Sequence, residues 1–205
     1  MSERGRFVTF EGIDGAGKST QIEVVANALR ERGIAIVITR EPGGTPLGEA
    51  LRDVILHQPM TPAAETLLLF AARAEHLERV IRPALAAGQW VLCDRFTDAT
   101  YAYQAGGRGM SVERIGELEQ WVHPDLQPDL TLLFDVPPDV AAGRLALARS
   151  ADRFESERTD FFGNVRRAYL ARAADQPQRF IVIDGTQAAD VIGARLRELM
   201  LRWNG

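Results

Sequence analysis

The amino-acid sequence predicts an α/β fold, a five-stranded parallel sheet covered by helices on both faces. Three observations carry that prediction. Five short apolar runs recur along the 205 residues; they are apolar throughout rather than alternating, as strands buried on both faces are; and helical stretches separate them, which is how parallel neighbours are connected. The runs are RFVTF at 6–10, AIVIT at 35–39, WVLCD at 90–94, LTLLFD at 130–135 and RFIVID at 179–184.

The first run leads into GIDGAGKST at 12–20. Gly12, Gly17, Lys18 and Ser19 fit glycine, any four residues, glycine, lysine, serine or threonine, the phosphate-binding P-loop. Its chemistry needs a strand, a glycine turn and a helix start, because the curled backbone and the helix N-terminus together aim N–H groups at an anion. Gly12, Ile13, Asp14, Gly15, Ala16, Gly17, Lys18, Ser19 and Thr20 are therefore the expected ATP-binding loop, with Lys18 on the β and γ phosphates and the Ser19 hydroxyl on magnesium. The class that follows is a three-layer P-loop NTPase. From Lys18 the apolar residues Ile22, Val25, Ala26 and Leu29 recur at helical spacing, giving a first helix over 18–32 that Gly33 ends. Further helices are expected over 47–57, 63–87 (closed by Gly88), 111–122, 138–148, 158–174 and 188–203.

Ligands in such sheets bind beyond the carboxyl ends of the strands. The second strand is followed by TREPGGTPLGE at 39–49, a structured loop whose glycines and prolines are also ordinary turn chemistry. Asp94 ends the third run and is the candidate magnesium carboxylate; Asp135, ending the fourth, competes with it. Arg95 follows where a cation meets an acceptor phosphate. Tyr101, Tyr103 and Gln104 then bring two rings and an amide beside the site, suited to a base face and a base edge. In the long third helix, Phe70 and Arg73 lie three apart and share a face. The stretch RLALARSADRFESE at 144–157 interrupts the helical pattern and carries Arg144, Arg149 and Arg153, which reads as a lid able to neutralise a transferring phosphoryl group.

Composition excludes several classes. A formal charge of −4, with 24 basic and 28 acidic residues intermixed, gives no footprint for nucleic acid. MSERGRF lacks the apolar centre of a signal peptide, and no apolar run approaches the roughly 18 residues of a membrane span, so a cytoplasmic protein with no membrane partner is expected. The lone Cys93 reads as a small buried hydrophobe, and His57, His76 and His123, without metal-ligand spacing, as surface or helix-end residues. The length suits one domain, 1–205.

FEGIDGAGKSTQ, TREPGGTPLGE, LLLFAARAEHL, DRFTDATYAYQAGGRG and DRFE followed by FFGNVRRAYL together resemble the bacterial thymidylate kinases, nucleoside-monophosphate kinases of the P-loop class, along nearly the whole chain. The resemblance implies γ-phosphoryl transfer from ATP to dTMP with magnesium, in a homodimer. It implies that Asp14 lies near the magnesium and the acceptor sugar, and that Arg95 holds the acceptor phosphate beside Asp94. Arg73 would recognise a thymine carbonyl, Thr100 and Gln104 would make polar contacts to the base, and Tyr103 would exclude a 2′-hydroxyl. Gly15 stands where one branch of the family carries a catalytic arginine, which leaves that role to Arg149 and Arg153. The base-stacking position is assigned to Phe70, three residues before Arg73, with Leu69, four before, the alternative. A deoxynucleoside kinase using Glu41 as base is the nearest rival. A nucleotide-binding regulator without transfer activity would need only the P-loop and magnesium residues, and no guanine motif supports a GTPase.

Overall fold

The structure is a computed structural model that describes residues 4–145 and 159–203. Strands β1 (Phe7–Glu11), β2 (Ile36–Arg40), β3 (Trp90–Asp94), β4 (Leu130–Asp135) and β5 (Phe180–Asp184) form one parallel sheet in the order β2-β3-β1-β4-β5. β1 occupies the centre and all five of its residues are buried, which brings the P-loop to the middle of the sheet's carboxyl edge. The sheet's period of two sorts the core. Val8, Phe10 and Leu92 join Ile22, Val25 and Leu29 in one cluster. Phe7, Val91 and Cys93 join Leu77, Ile81 and Leu85 in another.

The helices are α1 (Lys18–Glu31), α2 (Pro46–His57), α3 (Pro62–His76), α4 (Arg82–Ala86), α5 (Thr97–Thr100), α6 (Val112–Val122), α7 (Pro138–Leu145), α8 (Thr159–Asp175) and α9 (Ala189–Arg202). α2 and α3 begin one residue earlier than expected because Pro46 and Pro62 stand at the first helical position, where the missing N–H costs nothing. Thr45 and Thr61 cap them, accepting from Gly48 N at 2.9 Å and Ala64 N at 3.3 Å. The helix expected over 63–87 runs through a π-helical segment, Leu77–Ile81, between α3 and α4. Arg82 N there donates to Leu77 O, and the wider turn accommodates Pro83, which has no N–H to continue the α-helical ladder.

Helices cover both faces of the sheet as expected, and Ile38 on β2 and Val182 on β5 are exposed at its edges. His76 and His123 sit at helix ends as anticipated but are fully buried, each ring hydrogen-bonded through both nitrogens: His76 to Thr39 and Glu41, His123 to Thr97 and the Leu126 carbonyl. His57 alone is exposed. Cys93 is buried, its thiol donating to the Arg95 carbonyl at 3.0 Å. Among the described residues no helix is long and apolar enough to cross a membrane.

Candidate active site

The carboxyl ends of β1, β2 and β3 converge on an open cleft. Its walls include Asp14, Glu41, Arg52, Leu69, Arg73, Arg95, Phe96, Thr100, Tyr103 and Gln104. On its P-loop side the backbone turns as the glycine pattern requires. Gly12 lies at φ +134°, where an added Cβ would stand 2.5 Å from the Phe134 carbonyl, and Gly17 caps α1 in the left-handed region. Lys18 is buried, its Nζ donating to the Gly12 and Ile13 carbonyls at 3.2 and 3.3 Å. Burial and then the nearby Arg95 charge lower its pKa. Ser19 and Thr20 are exposed at the start of α1.

Magnesium takes one or two carboxylates together with phosphate oxygens and water. Asp94 Oδ1 is buried, 4.0 Å from Lys18 Nζ, and has no hydrogen-bond partner among the described residues. An orphaned anionic oxygen beside the helix start that carries Ser19 fits that ion. The competing Asp135 is paired in both oxygens by Arg166, at 2.6 and 2.9 Å.

Arg95 is the hub of the cleft. It adopts φ +70°, a left-handed conformation that costs a non-glycine residue on the order of 1 kcal/mol and that a dense set of contacts must hold. Nη1 donates to the Gly12 carbonyl (2.9 Å) and Tyr169 Oη (3.2 Å), and Nη2 to Asp14 Oδ1 (2.7 Å) and Tyr103 Oη (3.0 Å). Tyr103 Oη in turn donates to Asp14 Oδ2 at 2.9 Å. Burial would raise the Asp14 carboxyl, but Arg95 and Lys18 outweigh it and hold it far below the usual carboxylate range. Beneath this hub, Glu11 accepts from Phe96 N at 2.7 Å and Tyr169 Oη at 2.8 Å.

The far end of the cleft is built on α3. Glu65, Leu69 and Arg73 lie at i, i+4 and i+8 and so form one stripe. Arg73 is 2% exposed; its Nε donates to Glu41 Oε2 at 2.7 Å and its Nη2 to Thr100 Oγ1 at 3.0 Å, while Nη1 has no partner among the described residues. The Phe70 and Phe96 rings hold the guanidinium at 4.7 and 5.1 Å. His76 Nδ1 meets the second Glu41 oxygen at 3.1 Å. Burial alone would raise Glu41, but Arg73 and then His76 more than offset it and its pKa is lowered. With both oxygens engaged, Glu41 orients Arg73 and is not placed as a base. Gln104 Nε2 donates to Glu65 Oε1 at 2.7 Å.

The structure thus brings Asp14, Lys18, Asp94, Arg95, Arg73, Thr100, Tyr103 and Gln104 together. Phe70 needs correction: it packs with Tyr101 and Ile115 behind α3, and Leu69 takes the position in the cleft wall. Tyr101 likewise turns away, its hydroxyl donating to Glu119 Oε2 at 2.6 Å. Arg149 and Arg153, with most of the lid span 144–157, lie outside the described residues. The sequence reading missed Arg52, which lines the cleft with Nη1 on the Pro42 carbonyl at 3.0 Å, although its spacing to Ile55 and Leu56, i to i+3 and i+4, marks the face it shares. It also missed Glu11 and Tyr169, whose pairing across 158 positions leaves no local signal.

Comparison with known proteins agrees with this geometry. The family model described as thymidylate kinase matches residues 10–195. A thymidylate kinase of Methylobacillus flagellatus is 58% identical, covering 96% of this chain and 97% of the relative, and one of Cupriavidus metallidurans is 60% identical, covering 96% and 98%. The crystal structure of thymidylate kinase from Ehrlichia chaffeensis superposes with a TM-score of 0.78 at 33% identity over 96% of this chain and 99% of that one. The chain belongs to the thymidylate kinase family.

Proposed function

We propose a residue-level account of the activity: the chain transfers the γ-phosphoryl group of ATP to dTMP, giving ADP and dTDP, and each wall of the cleft has one task. Gly12 to Thr20 cradle the ATP phosphates, with Lys18 exchanging its loop carbonyls for the β and γ oxygens. Asp94 and the Ser19 hydroxyl would hold magnesium, which supplies neutralisation of phosphate charge when bound. Arg95 and Arg52 hold the acceptor phosphate. That group is a monoester with a second pKa of about 6, mostly dianionic at neutral pH, so it attacks without a general base. The work left to the protein is positioning and electrostatics. Asp14 fixes Arg95 and Tyr103 by hydrogen bonds to both, and Tyr103 stands beside the deoxyribose. Arg149 and Arg153, on the lid, neutralise the transferring group. Cytoplasmic location and a homodimer belong to the same proposal; exposed Val54, Leu67 and Trp121 on α2, α3 and α6 supply apolar surface for the second copy.

The observation that best supports this reading is Arg73 Nη1, a buried charged donor in the wall of the cleft with no hydrogen-bond partner among the described residues. Such a group is costly unless a ligand completes it, and a base carbonyl oxygen does so. ADP release from magnesium-ATP, measured with dTMP, with thymidine and with no acceptor, tests the account. Release with dTMP alone is expected. Release with thymidine alone would overturn it and return Glu41 to the role of base.

A further inference from the structure

Gln104 is 2% exposed and lines the cleft, and Nε2 makes the one hydrogen bond of its amide among the described residues. A glutamine amide has two nearly isosteric orientations, one presenting two donors and the other an acceptor, so the shape of the cleft does not choose between them. Chemistry has to choose. Glu65 is 1% exposed in the first turn of α3, and its Oε1 meets Gln104 Nε2 at 2.7 Å with Arg108 Nε 3.6 Å away. A carboxylate only accepts hydrogen bonds, so the amide must turn its nitrogen to Glu65 and is left with its carbonyl oxygen for the ligand.

We propose that Glu65 is a specificity-determining positioning residue, which fixes the Gln104 amide so that the cleft offers an acceptor beside the donor of Arg73. An acceptor and a donor side by side match a 4-oxo pyrimidine edge, whose ring N3–H donates and whose O4 accepts. They oppose a 4-amino pyrimidine, whose N3 accepts and whose amino group donates. The discrimination arises because the wrong edge leaves buried polar groups unpaired on both sides. This rests on the reading of Gln104 and Arg73 as base contacts, and Glu65 acts only through Gln104.

The test is steady-state turnover of dTMP and of dCMP by wild type, Glu65→Gln, Gln104→Leu and the double variant, all at saturating magnesium-ATP. Glutamine at 65 offers either a donor or an acceptor and releases the choice at 104. The expected result for Glu65→Gln is a KM for dTMP raised about 10-fold, kcat held within about 2-fold, and a dTMP-to-dCMP ratio of kcat/KM lowered about 10-fold or more. In the Gln104→Leu background the same substitution should leave the ratio unchanged. A ratio that Glu65→Gln does not move, or moves equally without Gln104, would overturn the proposal. If Glu65→Gln does not fold, the exchange Glu65→Gln with Gln104→Glu restores a donor facing an acceptor-only group and keeps an oxygen toward the base; it should retain the preference for dTMP, and a loss of preference counts against the idea. Failure of the base contacts themselves would show separately, as a Gln104→Leu variant with the wild-type ratio, and failure of the activity as wild type inert on dTMP.

Discussion

Replacing Glu11 by glutamine should flatten the pH dependence of stability. The side chain is fully buried at the end of β1, and burial foremost, then the charge of Asp98, pushes its carboxyl up to about 8 from an ordinary 4.5, against the pull of Arg95 and the hydrogen bonds from Tyr169 and Phe96. Asp98 keeps its own charge because Arg172 and Arg179 bond it at 2.7–2.9 Å. A folded pKa above the unfolded one means that the native state holds the proton longer. The stabilisation is therefore whole below about pH 4.5 and is lost as pH rises toward 8. Integrated over pH 6 to 8, that loss is about 2 kcal/mol, which for a chain of this size is about 4–9 °C in Tm. Thermal melts of the ligand-free protein at pH 6, 7 and 8 read it directly, because other titrating groups cancel in the difference between wild type and Glu11→Gln. The difference in Tm, wild type minus variant, should fall by that amount across the window. A difference constant with pH would refute the argument, since Glu11 would then carry the same proton in both states.

Further outcomes can be checked by standard means. Lys18→Ala and Arg153→Ala should each lower turnover by roughly 10³ at saturating substrates, and a loss below tenfold for Arg153 would reject its part in neutralising the transferred group. Arg73→Met leaves the Glu41 charge buried beside His76 alone; a loss of about 3–5 kcal/mol is expected in denaturant unfolding, partly recovered by adding Glu41→Gln, and no recovery would mean that the charge is not the cause. If the proposed homodimer forms through this face, Leu67→Glu, placing a charge on exposed apolar surface, should shift sedimentation from dimer to monomer; a wild type that sediments as a monomer would reject the dimer, and a variant that stays dimeric would reject this face.

What was legible in the sequence follows from how locally each feature is specified. The P-loop is local: glycines, lysine and serine within nine residues dictate strand, turn and helix together, and the structure has them there. The apolar runs gave the sheet to within a residue, although β1 extends one residue further, to Glu11, a buried carboxyl that an apolar criterion passes over. The rotation of α3 was not legible. Phe70 and Leu69 both belong to an apolar stripe, and which of them meets the cleft depends on how α3 sits against α6 and the segment after α5. That segment, Tyr101–Gly107, is π-helical, with Arg108 N bonding the Tyr103 carbonyl at 2.9 Å. Residues two apart on a helix do not share a face, so Tyr103 reaches the cleft while Tyr101, two residues earlier, faces Glu119. The burial of His76 and His123 at their helix ends is not legible for a related reason: a buried imidazole is marked by its partners, and Thr39, Glu41 and Thr97 come from other elements.

The position of Arg95 has a thermodynamic consequence. One guanidinium joins the P-loop, through Gly12 and Asp14, to the helical wall that carries Tyr103 and to Tyr169 on α8. In the proposed role, an acceptor phosphate that draws Arg95 toward itself would loosen its hold on the P-loop, so the two binding events would share a free energy. Linkage makes that share reciprocal: the factor by which dTMP changes the affinity for ATP must equal the factor by which ATP changes the affinity for dTMP.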